Sequence, residues 1–251
     1  MSMSIHHQIP LDPNKRHFVV GDVHGRYEAL LNLLEEINYD DTTDMIYSVG
    51  DVIDRGPQSV EVIKFFQQPN THVARGNHEQ MIINQKDWKS VWLHPPHGGP
   101  ATLASLAEHN LDMNWLEQFC NKLPVCLDVG DTDQEGAFRV IHAELPPRLS
   151  EDDFCSYLIE HPDDAAEGEM LWGRRTINQA KRNIEHMLPA GYGVEFHPNW
   201  TTRNVFCGHT PIERSIRVGN MWWLDTWKSK TMSMINAITF EKFVVPVLTL
   251  N

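Results

Sequence analysis

The chain has 251 residues, of which 41 % are hydrophobic and 22 % charged, an ordinary balance for a globular protein and long enough to bury one large core. Its formal net charge of −13 argues against an electrostatic grip on DNA or RNA, which requires a basic face. No apolar stretch nears the roughly 18 residues that span a bilayer, and residues 1–12 are polar with no signal-like apolar centre, so a cytoplasmic protein with no nucleic-acid or membrane partner is expected.

In chain order, residues 17–20, 45–49 and 71–75 are short β-prone runs, and each ends at a glycine: Gly21, Gly50 and Gly76. Between them Leu30, Leu33, Leu34 and Ile37, and then Val60, Ile63 and Phe66 with Val62 and Phe65, recur at helical spacing. A gap of 29 residues separates Asp22 from Asp51, and one of 26 separates Asp51 from Asn77. These gaps match a βαβ crossover, so the three strands should lie parallel and side by side, with their following loops at one sheet edge.

Residues 101–122 read as helical, and 124–129 and 138–143 as strands, the second ending at His142. An acidic helical segment over about 150–166 and the cluster Trp172-Gly173-Arg174-Arg175 suggest a helical cover. Residues 204–207 form a strand delivering Gly208-His209; 221–225, 234–240 and 243–248 read as closing antiparallel strands of a second sheet. With no internal repeat, low-complexity tract or long linker, residues 1–251 are expected to form a single α/β domain, within which 94–100 is a loop. Cys120, Cys126, Cys155 and Cys207 form no CxxC pair and read as small buried hydrophobes.

The strand ends carry Gly21-Asp22-Val23-His24-Gly25, Gly50-Asp51-Val52-Ile53-Asp54-Arg55-Gly56, Gly76-Asn77-His78-Glu79, a lone His142 and Gly208-His209-Thr210. Any one of these alone would mark a turn; five in series describe a two-metal site that cleaves phosphate esters. In the most economical assignment Asp22 and His24 hold one divalent ion, Asn77, His142 and His209 hold the other, and Asp51 bridges them. The bound hydroxide then attacks phosphorus in line, with no covalent phosphoenzyme. The thiol-free donors suit manganese, iron or zinc. His78 is placed to protonate the leaving oxygen and Asp54 to orient it. The planar forks of Arg55 and Arg174 suit phosphate oxygens. His94 and His97 sit in a Pro/Gly loop of the kind that lines sites.

These motifs resemble the PPP family of metal-dependent protein phosphatases within the calcineurin-like metallophosphoesterases, most of all its short bacterial and bacteriophage lambda-type branch. The likeness covers roughly 18–225 and is weakest over 101–137. It implies a β-sandwich flanked by helices in α/β/β/α layers, two manganese ions on the same six ligands, His78 and Asp54 as the acid pair, and Arg55 and Arg174 on phosphate. Trp172-Gly173-Arg174 resembles the Trp-x-Arg of that branch, which favours Arg174 over Arg175. The eukaryotic Ser-Ala-Pro-Asn-Tyr segment is missing, and Trp227 stands where many bacterial relatives read the glycine of Asp-Thr-Gly.

Three functions compete. A monomeric serine/threonine protein phosphatase, with phosphotyrosine as a further substrate, would act on phosphoproteins or phosphopeptides. A symmetric bis(5'-nucleosyl)-tetraphosphatase would split a phosphoanhydride, but that class tends to read Ala-Arg-Gly and Gly-Asn-His-Asp where this chain has Asp54-Arg55-Gly56 and Gly76-Asn77-His78-Glu79. An inactive metal-binding partner protein would have lost an acid or a ligand, and none is missing.

Overall fold

The computed structural model describes residues 5–146, 151–161, 168–191 and 203–247. Two sheets stack with helices on both outer faces. The first motif-bearing sheet has the order β11-β10-β2-β3-β4. Its strands are β2 (Arg16–Val20), β3 (Asp44–Ser48), β4 (Thr71–Val73), β10 (Thr231–Asn236) and β11 (Lys242–Pro246). β2, β3 and β4 are parallel, as the βαβ spacing requires, and β10 adds antiparallel to β2.

The second sheet has six strands in the order β1-β5-β6-β7-β9-β8. These are β1 (His6–Ile9), β5 (Cys126–Val129), β6 (Phe138–Ile141), β7 (Asn204–Cys207), β8 (Ile216–Val218) and β9 (Met221–Trp223). Between the sheets Val19, Tyr47 and Val49 of one meet Leu127, Val140, Phe206 and Trp222 of the other. Their alternation with Phe18, Val20 and Ile46, which face the helices, is the period-2 pattern of strands buried on both sides.

Helices α1 (Tyr27–Glu36), α2 (Ser59–Phe65), α3 (Asn77–Ile83), α4 (Gln85–Trp92), α5 (Gly99–Glu108) and α6 (Met113–Cys120) follow in the first half. The outer-face core of the first sheet draws on α1, α2 and α3 through Leu30, Leu33, Ile63 and Met81. α7 (Glu151–Glu160), α8 (Glu169–Trp172) and α9 (Arg175–Glu185) cover the second sheet, where Leu158, Leu171 and Ile177 pack on Ile141, Val205 and Trp223. The α/β/β/α layering is therefore as expected. No helix among the described residues is long and apolar enough to cross a membrane.

Several local readings need correction. The helical stretch over 101–122 is two helices, broken where Asn110 turns left-handed (φ 54°) and the Asp112 side chain caps α6 at Trp115 N. β10 and β11 extend the first sheet beside β2 rather than closing a second one, and of the closing strands expected there only residues 221–223 lie in the second sheet. They run parallel to β7 and pair antiparallel with β8, a three-residue strand too short to show a pattern. The strand expected over 234–240 starts earlier, at Thr231, and ends at Asn236, before a tight turn at Phe240 (φ 61°). Residues 147–150, 162–167 and 248, which fall within expected elements or between them, lie outside the described residues, and so does the Cys155 side chain; Cys120, Cys126 and Cys207 are buried, as expected.

Candidate metal centre

The loops after β2, β3, β4, β6 and β7 converge above one edge of the sandwich. They bring Asp22 and His24, Asp51, Asp54 and Arg55, Asn77 and His78, His142, and His209 together. Five of these non-glycine residues have left-handed backbone: His24 (φ 48°), Asp51 (51°), Asp54 (71°), Arg55 (64°) and His209 (65°). Such conformations cost of order 1–3 kcal/mol each unless the surroundings enforce them, and they cluster at functional sites. At Asp51 the enforcing group is Glu79, fully buried at the third position of α3. Its carboxylate accepts from Gly76 N (2.8 Å), Asp51 N (2.9 Å) and Val52 N (2.9 Å), tying the second motif to the third. Burial, and then the Asp51 charge, push its carboxyl up to about 7. At Gly208 a Cβ would run into the Asp22 carboxylate, so glycine is what lets the fifth loop touch the first.

The histidine tautomers follow from the backbone. His24 Nδ1 lies 2.9 Å from the Ile53 carbonyl and His142 Nδ1 3.0 Å from that of Val49, so each Nδ1–H donates outward and each Nε2 turns its lone pair inward. Burial holds His24 and His142 below the usual imidazole range, and burial with His142 and Arg174 takes His209 down to about 2. Two neutral imidazoles, His24 and His142, thus point lone pairs at one space, and the neutral His209 sets Nδ1 beside them.

Two clusters form there. In one, His142 Nε2 and His209 Nδ1 approach Asn77 Oδ1 at 2.8 and 3.0 Å. An imidazole lone pair facing a carbonyl oxygen at that distance is repulsive unless a cation lies where they converge. In the other, His24 Nε2 lies 3.5 Å from Asp51 Oδ2 and 3.9 Å from Asp22 Oδ2. Asp51 belongs to both: Oδ1 faces His142 at 3.5 Å while Oδ2 faces His24. Burial pushes the Asp51 carboxyl up, but His142, His78, His24 and Arg55 outweigh it and hold the group below the carboxylate range. Burial and the charges of Asp225 and Asp51 drive Asp22 well above that range. Crowded acids, orphaned lone pairs and an all-N/O donor set fit a pair of divalent cations. A stand-in for one is visible: the Arg55 guanidinium sits 2.5 Å from His24 Nε2 and 3.2 Å from His78 Nε2.

His78 is set apart from the donors by Asp54. Its Nδ1 lies 2.6 Å from Asp54 Oδ2, which also accepts from Trp92 Nε1 (2.8 Å), while Thr102 Oγ1 donates to Asp54 Oδ1 (2.6 Å). Burial pulls His78 down, but Asp51 and Asp54 overcome it and raise its pKa. Because His24, Asp51 and His78 atoms all fall within 4.8 Å, His78 also lies within reach of a cation, although its Nδ1 is taken by Asp54. Arg174 is exposed at the start of α9, beside Trp172, whose ring edge packs on His209. All ten residues singled out in the sequence surround this one edge. The sequence reading gave no role to Glu79, Trp92, Thr102, Arg26 or Asp225. Glu79 was visible inside its motif; Thr102 carries no signal, lying 48 residues from Asp54 in an ordinary helix.

A layered α/β/β/α sandwich with phosphoesterase motifs at its strand ends is a metallophosphoesterase architecture. The family comparison agrees, since the model for the calcineurin-like phosphoesterases matches residues 16–215. The chain belongs to that family, whose members work with a dinuclear metal centre. Serine/threonine-protein phosphatase 1 of Salmonella typhimurium is 29 % identical over 216 residues, 85 % of this chain and 87 % of that protein, a likeness to the PPP branch that the motifs indicate. A symmetrical bis(5'-nucleosyl)-tetraphosphatase of Methylococcus capsulatus is 26 % identical over 196 residues, 77 % of this chain and 66 % of that one. A protein serine/threonine phosphatase structure from Saccharomyces cerevisiae superposes with a TM-score of 0.61 at 15 % identity, covering 99 % of this chain and 85 % of that one, which shows the shared fold.

Proposed function

We propose that the chain is a metal-dependent phosphomonoesterase that removes phosphate from serine and threonine side chains of proteins, with phosphotyrosine as a further substrate. The observation that carries this reading is the buried Asp54–His78 pair at 2.6 Å. An alkoxide is a poor leaving group and needs a proton, whereas a phosphoanhydride releases a phosphate that does not. The longer match to a bacterial protein phosphatase supports the same choice.

In this reading Asp22 and His24 hold one ion, Asn77, His142 and His209 the other, and Asp51 both. Bound there, two divalent ions supply a water of lowered pKa and neutralise charge on the phosphoryl oxygens. Manganese is the metal that the bacterial resemblance implies; iron or zinc would fit the same donors. Arg55 swings from the imidazoles onto the phosphate and, with Arg174, orients it for in-line attack. His78 Nε2 delivers the proton to the departing serine or threonine oxygen while Asp54 steadies the imidazolium. No side-chain nucleophile takes part. The chain works as one domain and as a monomer in the cytoplasm.

With manganese, the purified chain should hydrolyse p-nitrophenyl phosphate and phosphopeptides and act poorly on diadenosine tetraphosphate. Rapid tetraphosphate cleavage with inert phosphopeptides would replace this reading with the phosphoanhydride hydrolase that the Methylococcus relative favours.

A further inference from the structure

Asp225 closes the first turn after β9 and has no place among the six donors. Its position is built by close packing across the two sheets: a Cβ on Gly21 would strike the Leu224 carbonyl, so the end of β9 lies against the residue preceding Asp22. The Asp225 side chain is 3 % exposed. Oδ1 accepts from Trp227 N at 3.1 Å, and the Asp225 carbonyl accepts from Ile212 N at 2.8 Å, which fixes the loop. Oδ2 has no hydrogen-bond partner. With Leu224 packed against Gly21, Asp22 and Asp225 follow on adjacent chain segments at the same edge of the sandwich, and the Asp225 charge contributes to the raised pKa of Asp22.

Arg26 completes the arrangement. Its guanidinium lies 3.9 Å above the Trp227 ring, and its Nη1 donates to the His24 carbonyl at 3.2 Å. Trp227, the residue that departs from the bacterial Asp-Thr-Gly pattern, therefore holds a positive charge beside the Asp22–Asp225 pair. A buried carboxylate oxygen left without a donor is costly, and a cation held by the neighbouring Asp22 and His24 would bring a bound water able to supply one.

We propose that Asp225 is a positioning residue of the metal centre. Oδ2 accepts a hydrogen bond from a water on the ion held by Asp22 and His24, and Arg26, braced on Trp227, moderates the negative charge at that end. The proposal rests on the two-ion reading above. Outer-shell partners of this kind change metal affinity by about 10- to 100-fold.

Manganese titration of the metal-stripped full chain, followed by calorimetry and by thermal melting, tests it without any assay of activity. The wild type should bind two ions; Asp225→Asn should bind one of them about 10- to 100-fold more weakly. Arg26→Gln, which removes a repelling charge, should tighten the same ion. Opposite shifts from two neighbouring substitutions report charge rather than damage to the fold. Two ions bound by Asp225→Asn with wild-type affinity would overturn the role of Asp225, and weaker binding by Arg26→Gln would overturn that of Arg26. A wild type that binds fewer than two ions would instead overturn the two-ion reading itself.

Discussion

Replacing His78 by Asn removes the acid while preserving a polar side chain of similar reach at the start of α3. In the structure His78 contacts Asp54 at 2.6 Å through Nδ1 and Asp51 at 3.8 Å through Nε2, and its backbone N–H donates to Asp51 Oδ1 at 3.0 Å. The last bond survives the substitution, so the bridging carboxylate stays in place. What disappears is proton delivery, worth roughly 10²- to 10⁴-fold when the leaving group is an alkoxide, or about 2.7–5.4 kcal/mol of barrier. A p-nitrophenolate leaves without help, so its loss should be at most about tenfold. The assay compares kcat/KM on a phosphoserine peptide and on p-nitrophenyl phosphate at fixed manganese, with bound metal measured on the same samples. Because the pKa of His78 is raised, the acidic form persists above the ordinary value near 6.5. Activity on the peptide should fall as pH climbs through the raised value, a limb that His78→Asn abolishes. Equal losses on both substrates, or loss of one metal, would refute the acid role and make His78 a ligand.

Gly208→Ala should fold with an unchanged far-ultraviolet circular dichroism spectrum yet bind manganese poorly in calorimetric titration, because its Cβ would collide with the Asp22 carboxylate. Glu79→Ala leaves three buried backbone N–H groups without their acceptor; at about 1 kcal/mol or more each, urea unfolding should show a loss of roughly 3 kcal/mol or more. Asp128 is buried between Arg139 (2.6 Å), Arg203 (3.2 Å) and His6 (2.9 Å). Burial pushes its carboxyl up, but these partners hold it below the usual range. Its contribution to stability is complete above the unfolded pKa near 3.9 and is lost as pH falls below it. Asp128→Asn should cost about 3–5 kcal/mol at neutral pH and flatten the acid limb of the stability curve.

Much of this architecture is legible in the sequence, and the boundary is physical. Strands β2, β3 and β4 are short, apolar and end in motif glycines, and their spacing leaves a parallel sheet as the natural solution. Neighbours across the sandwich carry no such signal. β1 is written His-His-Gln-Ile, a polar edge whose partner, β5, lies 120 residues away, and only tertiary pairing makes it a strand. α3 is hidden because its first turn buries the polar Asn77, His78, Glu79 and Gln80, which erases the apolar stripe that marks a helix, and α4 because it buries only Trp92. The site shows the same division. Asp22, Asp51 and Asn77 announce themselves through adjacent glycines, whereas Thr102 supports Asp54 through a contact that no local pattern encodes.

The inner arrangement also explains why a fold would tolerate so much local discord. Left-handed residues, crowded acids and inward lone pairs are each unfavourable alone, and most of the donors are fixed by groups outside the metal space. Glu79 fixes Asp51 through its backbone, the Ile53 and Val49 carbonyls fix His24 and His142, and Asp54 with Trp92 and Thr102 fixes His78. Because those supports come from the loop after β3 and from α3, α4 and α5, the donors cannot relax apart without disturbing the core. The donor geometry is therefore set by the folded chain before any cation arrives, and the positive charge of Arg55 lying across two of the imidazoles is what such a preorganised, electron-rich cavity attracts.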